Sequence, residues 1–413
     1  MKIVVIGGGA AGFFAALRSK EVNPEASVIV LEKGLQFLAK VKVSGGGRCN
    51  VTHNCHELAK LLQHYPRGAK FLREPLQRFM PADMITWLHT RGVTVKAEAD
   101  GRMFPETDDS QTIIDCFLDE AENKGVELRL QTAVNKLEIL PTSFVLHTKE
   151  EVFEADSVII ATGGSPKLSG LEWLVELGLT VVAPVPSLFT FNLPKNPITE
   201  LAGVSTPVRA KIVGTKLEQQ GDMLITHWGL SGPAILKLSA WAAHELASVN
   251  YTYQVAISWI PAMKEDELRA CLLMHKNTSK RQIGNETLDL PKRLWHFLLE
   301  KAKIYIDTPF DELRNQDLNR LVSLLCYDVY DAHGKTTYKE EFVTSGGVVL
   351  SEINPKTMES KKVPSLYFAG EVLDIDGVTG GFNFQSAWAT GYAAGSYASV
   401  PSSQSNDSSK AVR

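Results

Sequence analysis

The sequence predicts an α/β fold, a parallel sheet covered by helices, in a domain whose two halves are separated by an insert of mixed type. Three observations carry this reading. Strand, glycine turn, helix and strand patterns follow one another between Lys2 and Leu31, the βαβ arrangement of a parallel sheet. The apolar run Ser157 to Ala161, closed by Thr162-Gly163-Gly164, has the same buried-strand character, and so does Ser365 to Ala369 far down the chain. Between them, from about 190 to 340, the pattern changes to segments rich in β-branched and aromatic residues.

Taken in order, residues 2–6 form a short continuous apolar run ended by glycine, as a strand buried on both faces does. Residues 10–21 supply a helix, with Phe13, Phe14 and Leu17 at helical spacing, and Ser27 to Leu31 reads as a second buried strand. Residues 57–92 read as helical, broken at Pro66 and Pro81 and stopped at Gly92. The next helix runs from about 110 to 123, with Ser110 as candidate N-cap, Ile113, Ile114, Phe117, Leu118 and Ala121 as its apolar face, and Gly125 at its end. Val126, Leu128 and Leu130 alternate with polar residues, and short strands follow near 136–140 and 144–148. Within the insert, 187–193, 206–213, 223–227 and 251–259 read as strands and 264–275 and 291–302 as helices. Gly346 to Leu350 and Ser365 to Ala369 then return to buried strands, and 381–398 to a long last helix, so the first domain is discontinuous. The tail from Pro401 to Arg413 is Ser-rich and polar, and disorder is expected there.

Composition narrows the function. The 413 residues suffice for two or three domains, and 44% hydrophobic with 22% charged residues excludes a disordered chain, a collagen-like fibre or a disulfide scaffold. Lys+Arg number 43 against 47 Asp+Glu, a net −4, so no global basic field is present and nucleic acid is not expected as a partner. Five cysteines without regular pairing or ligand spacing read as reduced thiols, which points to the cytoplasm. No membrane span is expected, because no window of eighteen apolar residues is free of charge. The apolar run to Leu17 loosely imitates a signal peptide, but Gly7 to Gly9 interrupt it.

Those glycines belong to the strongest motif, Gly7-Gly8-Gly9-Ala10-Ala11-Gly12, a G-x-G-x-x-G between strand and helix. In such a turn Gly7 permits the tight bend, Gly9 lets a pyrophosphate approach the backbone, and Gly12 lets helix and strand pack closely, in the Rossmann manner. The helix start offers free N–H groups and a positive dipole end. Glu32, at the end of the second strand and followed by Lys33, stands where a carboxylate accepts hydrogen bonds from a ribose diol, which disfavours a 2′-phosphate. A second cluster, Ser44-Gly45-Gly46-Gly47-Arg48-Cys49-Asn50, and a third, Phe368-Ala369-Gly370-Glu371 with Gly377 and Gly380-Gly381-Phe382-Asn383-Phe384-Gln385, lie far apart in sequence. A cofactor touching residues near 10, 45, 162 and 371–385 must be long, which fits FAD better than NAD.

These runs, together with Gly101-Arg102-Met103-Phe104-Pro105, Ala161-Thr162-Gly163-Gly164, Thr226-His227-Trp228-Gly229-Leu230-Ser231-Gly232-Pro233, Thr344-Ser345-Gly346-Gly347-Val348 and Gly370-Glu371-Val372-Leu373-Asp374, resemble the BaiN/YhiN-type flavoproteins, the group that includes aminoacetone oxidase. The resemblance runs from residue 1 to about 397. It implies a glutathione-reductase-like FAD-binding domain over 1–190 and 343–400, a β-rich domain over 191–262 and 305–342, a small helical domain over 263–304, and a tail at 401–413. It places Gly7, Gly9, Ala10, Ala11 and Gly12 at the pyrophosphate, Glu32 at the adenosine ribose and Val134 at the adenine through its backbone. Ser44, Gly45, Gly46, Ala161, Thr162 and Gly163 would line the cofactor, and Gly370 and Glu371 would reach its ribityl and phosphate region. Where the group has Gly-Arg-Lys before the Ser-Gly-Gly run, this chain has Leu38-Ala39-Lys40, so Lys40 alone carries over.

The start of the last helix, Gly381, Phe382, Asn383 and Phe384, is expected at the pyrimidine side of the isoalloxazine, where charge gathers on reduction. As candidate catalytic residues, His227 either belongs to a structural turn before the Ser231–Pro233 helix start or faces substrate, and Arg48 either holds an anionic substrate or the flavin N1 and O2 edge, or makes a structural salt bridge. Cys49 and Cys55 have five intervening residues where disulfide reductases have four, so Cys49 reads as a packed thiol, and His53, Cys55, His56 and His64 lack metal-ligand spacing and read as surface and loop residues. The expected activity is hydride transfer between flavin N5 and a small organic substrate. With no second G-x-G-x-x-G, NAD(P)H would bind only transiently. Flavin-dependent RNA modification and a non-catalytic flavin sensor are the alternatives.

Overall fold

The computed structural model describes residues 1–336 and 343–400. The disorder expected for 401–413 lies outside the described residues, as does the end of the expected insert. The chain forms two compact units, Met1–Pro186 with Lys339–Arg413, and Ser187–Tyr338.

The first unit is built on five parallel strands in the order Leu366–Phe368, Ser157–Ile160, Lys2–Ile6, Ser27–Leu31, Glu127–Arg129. The apolar runs sit in its centre, where Val4, Val5, Val30, Ile159 and Ile160 are at most 1% exposed. The strand order reverses beside Lys2–Ile6, so the crevice of an open α/β sheet opens between the carboxyl ends of that strand and Ser157–Ile160. The first helix, Ala10–Val22, packs along the last, Phe382–Ala398. Gly391 and Gly395 make this possible: a Cβ on either would run into the backbone carbonyls of Ala11 and Ala15. Two three-stranded antiparallel sheets complete the unit, one of Thr52–His53, Arg102–Pro105 and Val95–Ala97, the other of Lys136–Ile139, Phe144–His147 and Val152–Ala155.

One reading needs correction here. Ser110 does not cap its helix; its hydroxyl donates to the Lys42 carbonyl, 2.8 Å away. The helical stretch 57–92 forms three helices, Leu58–Leu62, Ala69–Arg78 and Pro81–His89, separated around Pro66 and at Pro81 as the sequence reading has it, with Pro75 inside the second. The buried strand read at 346–350 is Thr344–Val348, which pairs antiparallel with Val181–Pro186 across a bulge, with Gly346 and Gly347 at φ of 108° and 145°.

The second unit carries a seven-stranded antiparallel sheet whose strands alternate buried and exposed residues, as Ser205–Ile212 does. Its helices Glu265–Thr278, Lys292–Lys301 and Asn315–Cys326 share one core with the sheet: Leu268, Leu272, Trp295, Leu298 and Leu321 belong to the same cluster as Val208, Ile225 and Ile257. The helical domain expected at 263–304 is thus not a unit of its own. The helix Asn315–Cys326 lies in the 305–342 stretch assigned from sequence to the β-rich domain.

Candidate functional site

The site is assembled from the carboxyl ends of the first unit's strands. Gly7 has φ 113°, and a Cβ there would meet the Ala161 carbonyl; one on Gly12 would meet the Gly7 carbonyl. Gly9, by contrast, looks onto open space, with nothing within 4 Å of where its Cβ would be. The first intrahelical bond runs from Phe13 N–H to the Gly9 carbonyl at 3.0 Å, so the N–H groups of Ala10, Ala11 and Gly12 have no acceptor within the helix. Open backbone, three N–H donors and a helix dipole make an anion cradle.

The Glu32 carboxylate accepts N–H bonds from Gly8 (2.8 Å) and Gly34 (2.7 Å), which orients it at the edge of the same turn. Each oxygen keeps a lone pair for a ribose hydroxyl. Lys33 next to it is exposed. Thr132 N–H donates to the Glu32 carbonyl and Gln131 N–H to that of Gly34, which brings the segment leading to half-buried Val134 against this loop.

Distant segments close around the turn. Leu38 N–H donates to the Gly8 carbonyl at 2.8 Å, and two residues on, Lys40 Nζ lies 2.6 Å from Glu371 Oε2. The other Glu371 oxygen accepts Thr344 N–H at 2.9 Å. A Cβ on Gly370 would touch the Ala11 methyl at 2.7 Å, so this glycine lies against the phosphate turn. Ser44–Gly47 folds with three consecutive left-handed glycines, Gly45, Gly46 and Gly47 at φ of 59°, 70° and 86°. Gly46 and Gly47 face open space, as does Gly163 at φ 74°; Ala161 is buried and Thr162 exposed. The buried Asn50 Oδ1 has no protein donor. The glycine-lined opening, the bare N–H groups and this unsatisfied acceptor fit a long, flat, phosphate-bearing ligand such as FAD.

At the far end, Gly381 (φ 88°) starts the last helix with its α-carbon against the Thr52 backbone. The first intrahelical bond is Gln385 N–H to the Gly381 carbonyl, leaving the N–H groups of Phe382, Asn383 and Phe384 without intrahelical acceptors. The Asn383 amide is used within the protein: its Oδ1 accepts Gly377 N–H (2.8 Å) and its Nδ2 donates to the Gly377 carbonyl (2.9 Å).

Arg48 is committed to carboxylates. Its guanidinium lies 2.7 Å from Glu98 and 3.4 Å from Asp108 and stacks 4.0 Å from the Phe104 ring centre, with Glu98 foremost in holding its pKa up. Of the two roles considered from sequence, this contact set is that of the salt bridge. His227 is exposed on the turn between strands Glu218–Thr226 and Gly229–Ser231 of the second unit. All five cysteines are free, and burial pushes the Cys49 thiol up to about 12. Among the described residues no three of His, Cys, Asp or Glu converge as a metal-binding group, and no helix is long and apolar enough to cross a membrane.

His53 and His64, read from sequence as surface and loop residues, are both half-buried. Their rings stack on Phe382 at centroid distances of 4.7 and 4.0 Å, beside the start of the last helix. The signal was available in Gly101, whose missing Cβ makes room for the His53 ring, and in the closely spaced residues His64, Tyr65 and Arg67.

Comparison with known proteins agrees with this geometry. The model of a family described as HI0933-like protein Rossmann domain matches residues 1–397. The chain is 33% identical over 403 residues to the ribosomal RNA dihydrouridine synthase of Escherichia coli, covering 94% of this chain and 96% of that protein. It is 29% identical over 408 residues to the 3-dehydro-bile acid delta(4,6)-reductase of Clostridium scindens, covering 95% and 98%. Among solved structures, the 3-ketosteroid-delta4-(5alpha)-dehydrogenase from Rhodococcus jostii RHA1 aligns over 97% of this chain and 96% of that one with TM-score 0.51 at 14% identity, a likeness of fold. The chain therefore belongs to the HI0933-like family of FAD-dependent, Rossmann-fold oxidoreductases, the BaiN/YhiN group.

Proposed function

We propose that this protein is an FAD-dependent reductase of a carbon–carbon double bond conjugated to a carbonyl, and that its substrate is a uridine in ribosomal RNA. The observation that carries the reading is the end-to-end match to two kinds of relative whose names imply one reaction: a Δ4,6-reductase of a 3-dehydro bile acid and a synthase of dihydrouridine both saturate such a bond. The uracil ring is favoured over the steroid because two dihydrouridine synthases, from Escherichia coli and Haemophilus influenzae, stand at 33% and 31% identity. The net charge of −4 argues against a large phosphate-binding field, and the Ser187–Tyr338 unit, with nearly equal numbers of basic and acidic residues, leaves that acidity to the FAD unit.

Bound FAD supplies a hydride acceptor and donor. The residues around it have separable tasks: Gly9, Ala10, Ala11 and Gly12 hold the pyrophosphate, Glu32 the ribose, and the Gly45–Gly47 turn and Asn50 the ring system. The open N–H groups of Phe382, Asn383 and Phe384 offer hydrogen bonds and a positive dipole end to charge developing on the pyrimidine edge. A reduced nicotinamide, bound transiently, is the electron source. The test is anaerobic: the purified protein is reduced with NADH or NADPH, then mixed with an unmodified ribosomal RNA transcript or a 3-oxo-4-ene steroid. Reoxidation of the flavin by RNA, with a gain of two hydrogens on uridine by mass spectrometry, supports the reading. Reoxidation by the steroid alone would return the substrate to a small molecule, and reoxidation only by oxygen would sink both.

A further inference from the structure

Hydride addition to one carbon of a polarised double bond leaves negative charge at its neighbour, and the reaction ends only when that carbon is protonated. The titratable groups around the start of the last helix are few. The Tyr65 hydroxyl donates to the Phe382 carbonyl at 2.8 Å, and burial pushes its pKa well above the ordinary value. Arg67 is paired bidentately with fully buried Asp376. Arg102 is engaged by Asp100 and Glu98. The Cys49 thiol is buried and Cys55 is half-buried.

His53 and His64 differ from all of these. Imidazole is the side chain that both gives and regains a proton near neutrality. Both rings are half-buried, and both rest on Phe382, the first residue of the helix whose N–H groups open toward the expected flavin edge. Their centroids are 5.9 Å apart. Each is fixed independently: His53 Nε2 meets the Asp100 carbonyl at 3.2 Å, and the His64 backbone carbonyl accepts Val378 N–H at 2.9 Å.

We propose that His53 and His64, seated on the Phe382 ring, deliver the proton that completes reduction of the substrate double bond. This rests on the reductase reading above. The β-carbon receives a hydride whose two electrons originate in a reduced nicotinamide, and the π pair shifts toward the carbonyl. An imidazolium N–H bond then breaks, a C–H bond forms at the α-carbon, and the imidazole regains its proton from water.

The test uses the full-length, FAD-loaded protein with His53→Asn, His64→Asn and the double variant. FAD content and the rate of flavin reduction by NADPH are expected to stay within about twofold of the parent, since neither step needs this proton. Reoxidation by the RNA transcript is expected to fall by about 100-fold or more in at least one single variant, the usual scale of a lost general acid. Added imidazole is expected to restore part of the rate in the corresponding alanine variant, which a packing role would not produce. A double variant reoxidised within threefold of the parent overturns the proposal. A parent reoxidised by neither RNA nor steroid overturns the reductase reading, and this inference with it.

Discussion

At the scale of single residues, glycines that look alike in sequence do opposite things. Gly12 is crowded by the Gly7 carbonyl, so Gly12→Ala is expected to destabilise the fold itself, on the order of 1–3 kcal/mol as overpacking does, read as a lowered Tm. Gly9 is open and has an ordinary φ of −92°, so Gly9→Val is expected to leave the apo-protein's Tm nearly unchanged while FAD is lost on desalting. A Gly9→Val protein that keeps its flavin would remove the pyrophosphate from this turn. Glu32→Ala removes charge-assisted bonds worth about 1.5–3 kcal/mol each, so retention of FAD should weaken by about tenfold or more, measured by fluorescence of released flavin, with the far-UV spectrum intact. Cys49 carries a pH signature. Its native thiol, raised from near 9 to about 12 by burial, holds its proton where the unfolded chain releases it. Its contribution to stability is therefore full below pH about 9 and is lost between about 9 and 12. At pH 8 Cys49 is expected to resist iodoacetamide in the native protein and to react on unfolding, which peptide mapping checks. Of this residue-level picture, the spacing of Gly7, Gly9, Gly12 and Glu32 was legible, because each position is dictated by local backbone geometry. The partners of Arg48 were not, since Glu98 and Asp108 reach it only through tertiary folding.

At the scale of elements, what reads best in the sequence is what is doubly buried. Lys2–Ile6 and Ser27–Leu31 match their apolar runs residue for residue, and the helices from Ala10 and Phe382 begin at their glycine turns. Short ribbons read worst: Val152–Ala155 and Asp328–His333 leave little or no apolar run, because alternate residues face solvent. The pairing of His53 and His64 on Phe382 escaped for a similar reason, being a meeting of a strand, a loop and a helix start. The loop carrying His64 is tied to 374–378 by the Arg67–Asp376 pair and by Val378 N–H donating to the His64 carbonyl, and to the helix start by the Tyr65 hydroxyl on the Phe382 carbonyl. Removing one partner of a buried pair strands the other charge, so Asp376→Ala is expected to destabilise by about 3 kcal/mol in urea unfolding, more than a surface pair would.

At the scale of the whole molecule, the discontinuous domain has a physical seam. Strands Val181–Pro186 and Thr344–Val348 run antiparallel, with Pro186 opposite Thr344 and Val185 opposite Ser345. The chain leaves the first unit at the end of one strand of this ribbon and returns at the facing start of the other, so the two cut ends are cross-strand neighbours. Two strand ends in that relation need only a short reverse turn to be joined. Replacing 187–343 by a four-residue turn containing Asn-Gly is therefore expected to leave a folded first unit that retains FAD, because every residue assigned above to pyrophosphate, ribose and ring lies within it. The excised Ser187–Tyr338 is expected to unfold cooperatively in urea and to bind no flavin, since its sheet and helices close on one core of their own. A joined first unit that is colourless yet folded by circular dichroism would mean that the second unit contributes to holding the cofactor. A second unit that unfolds without cooperativity would mean that its core is incomplete without the rest of the chain.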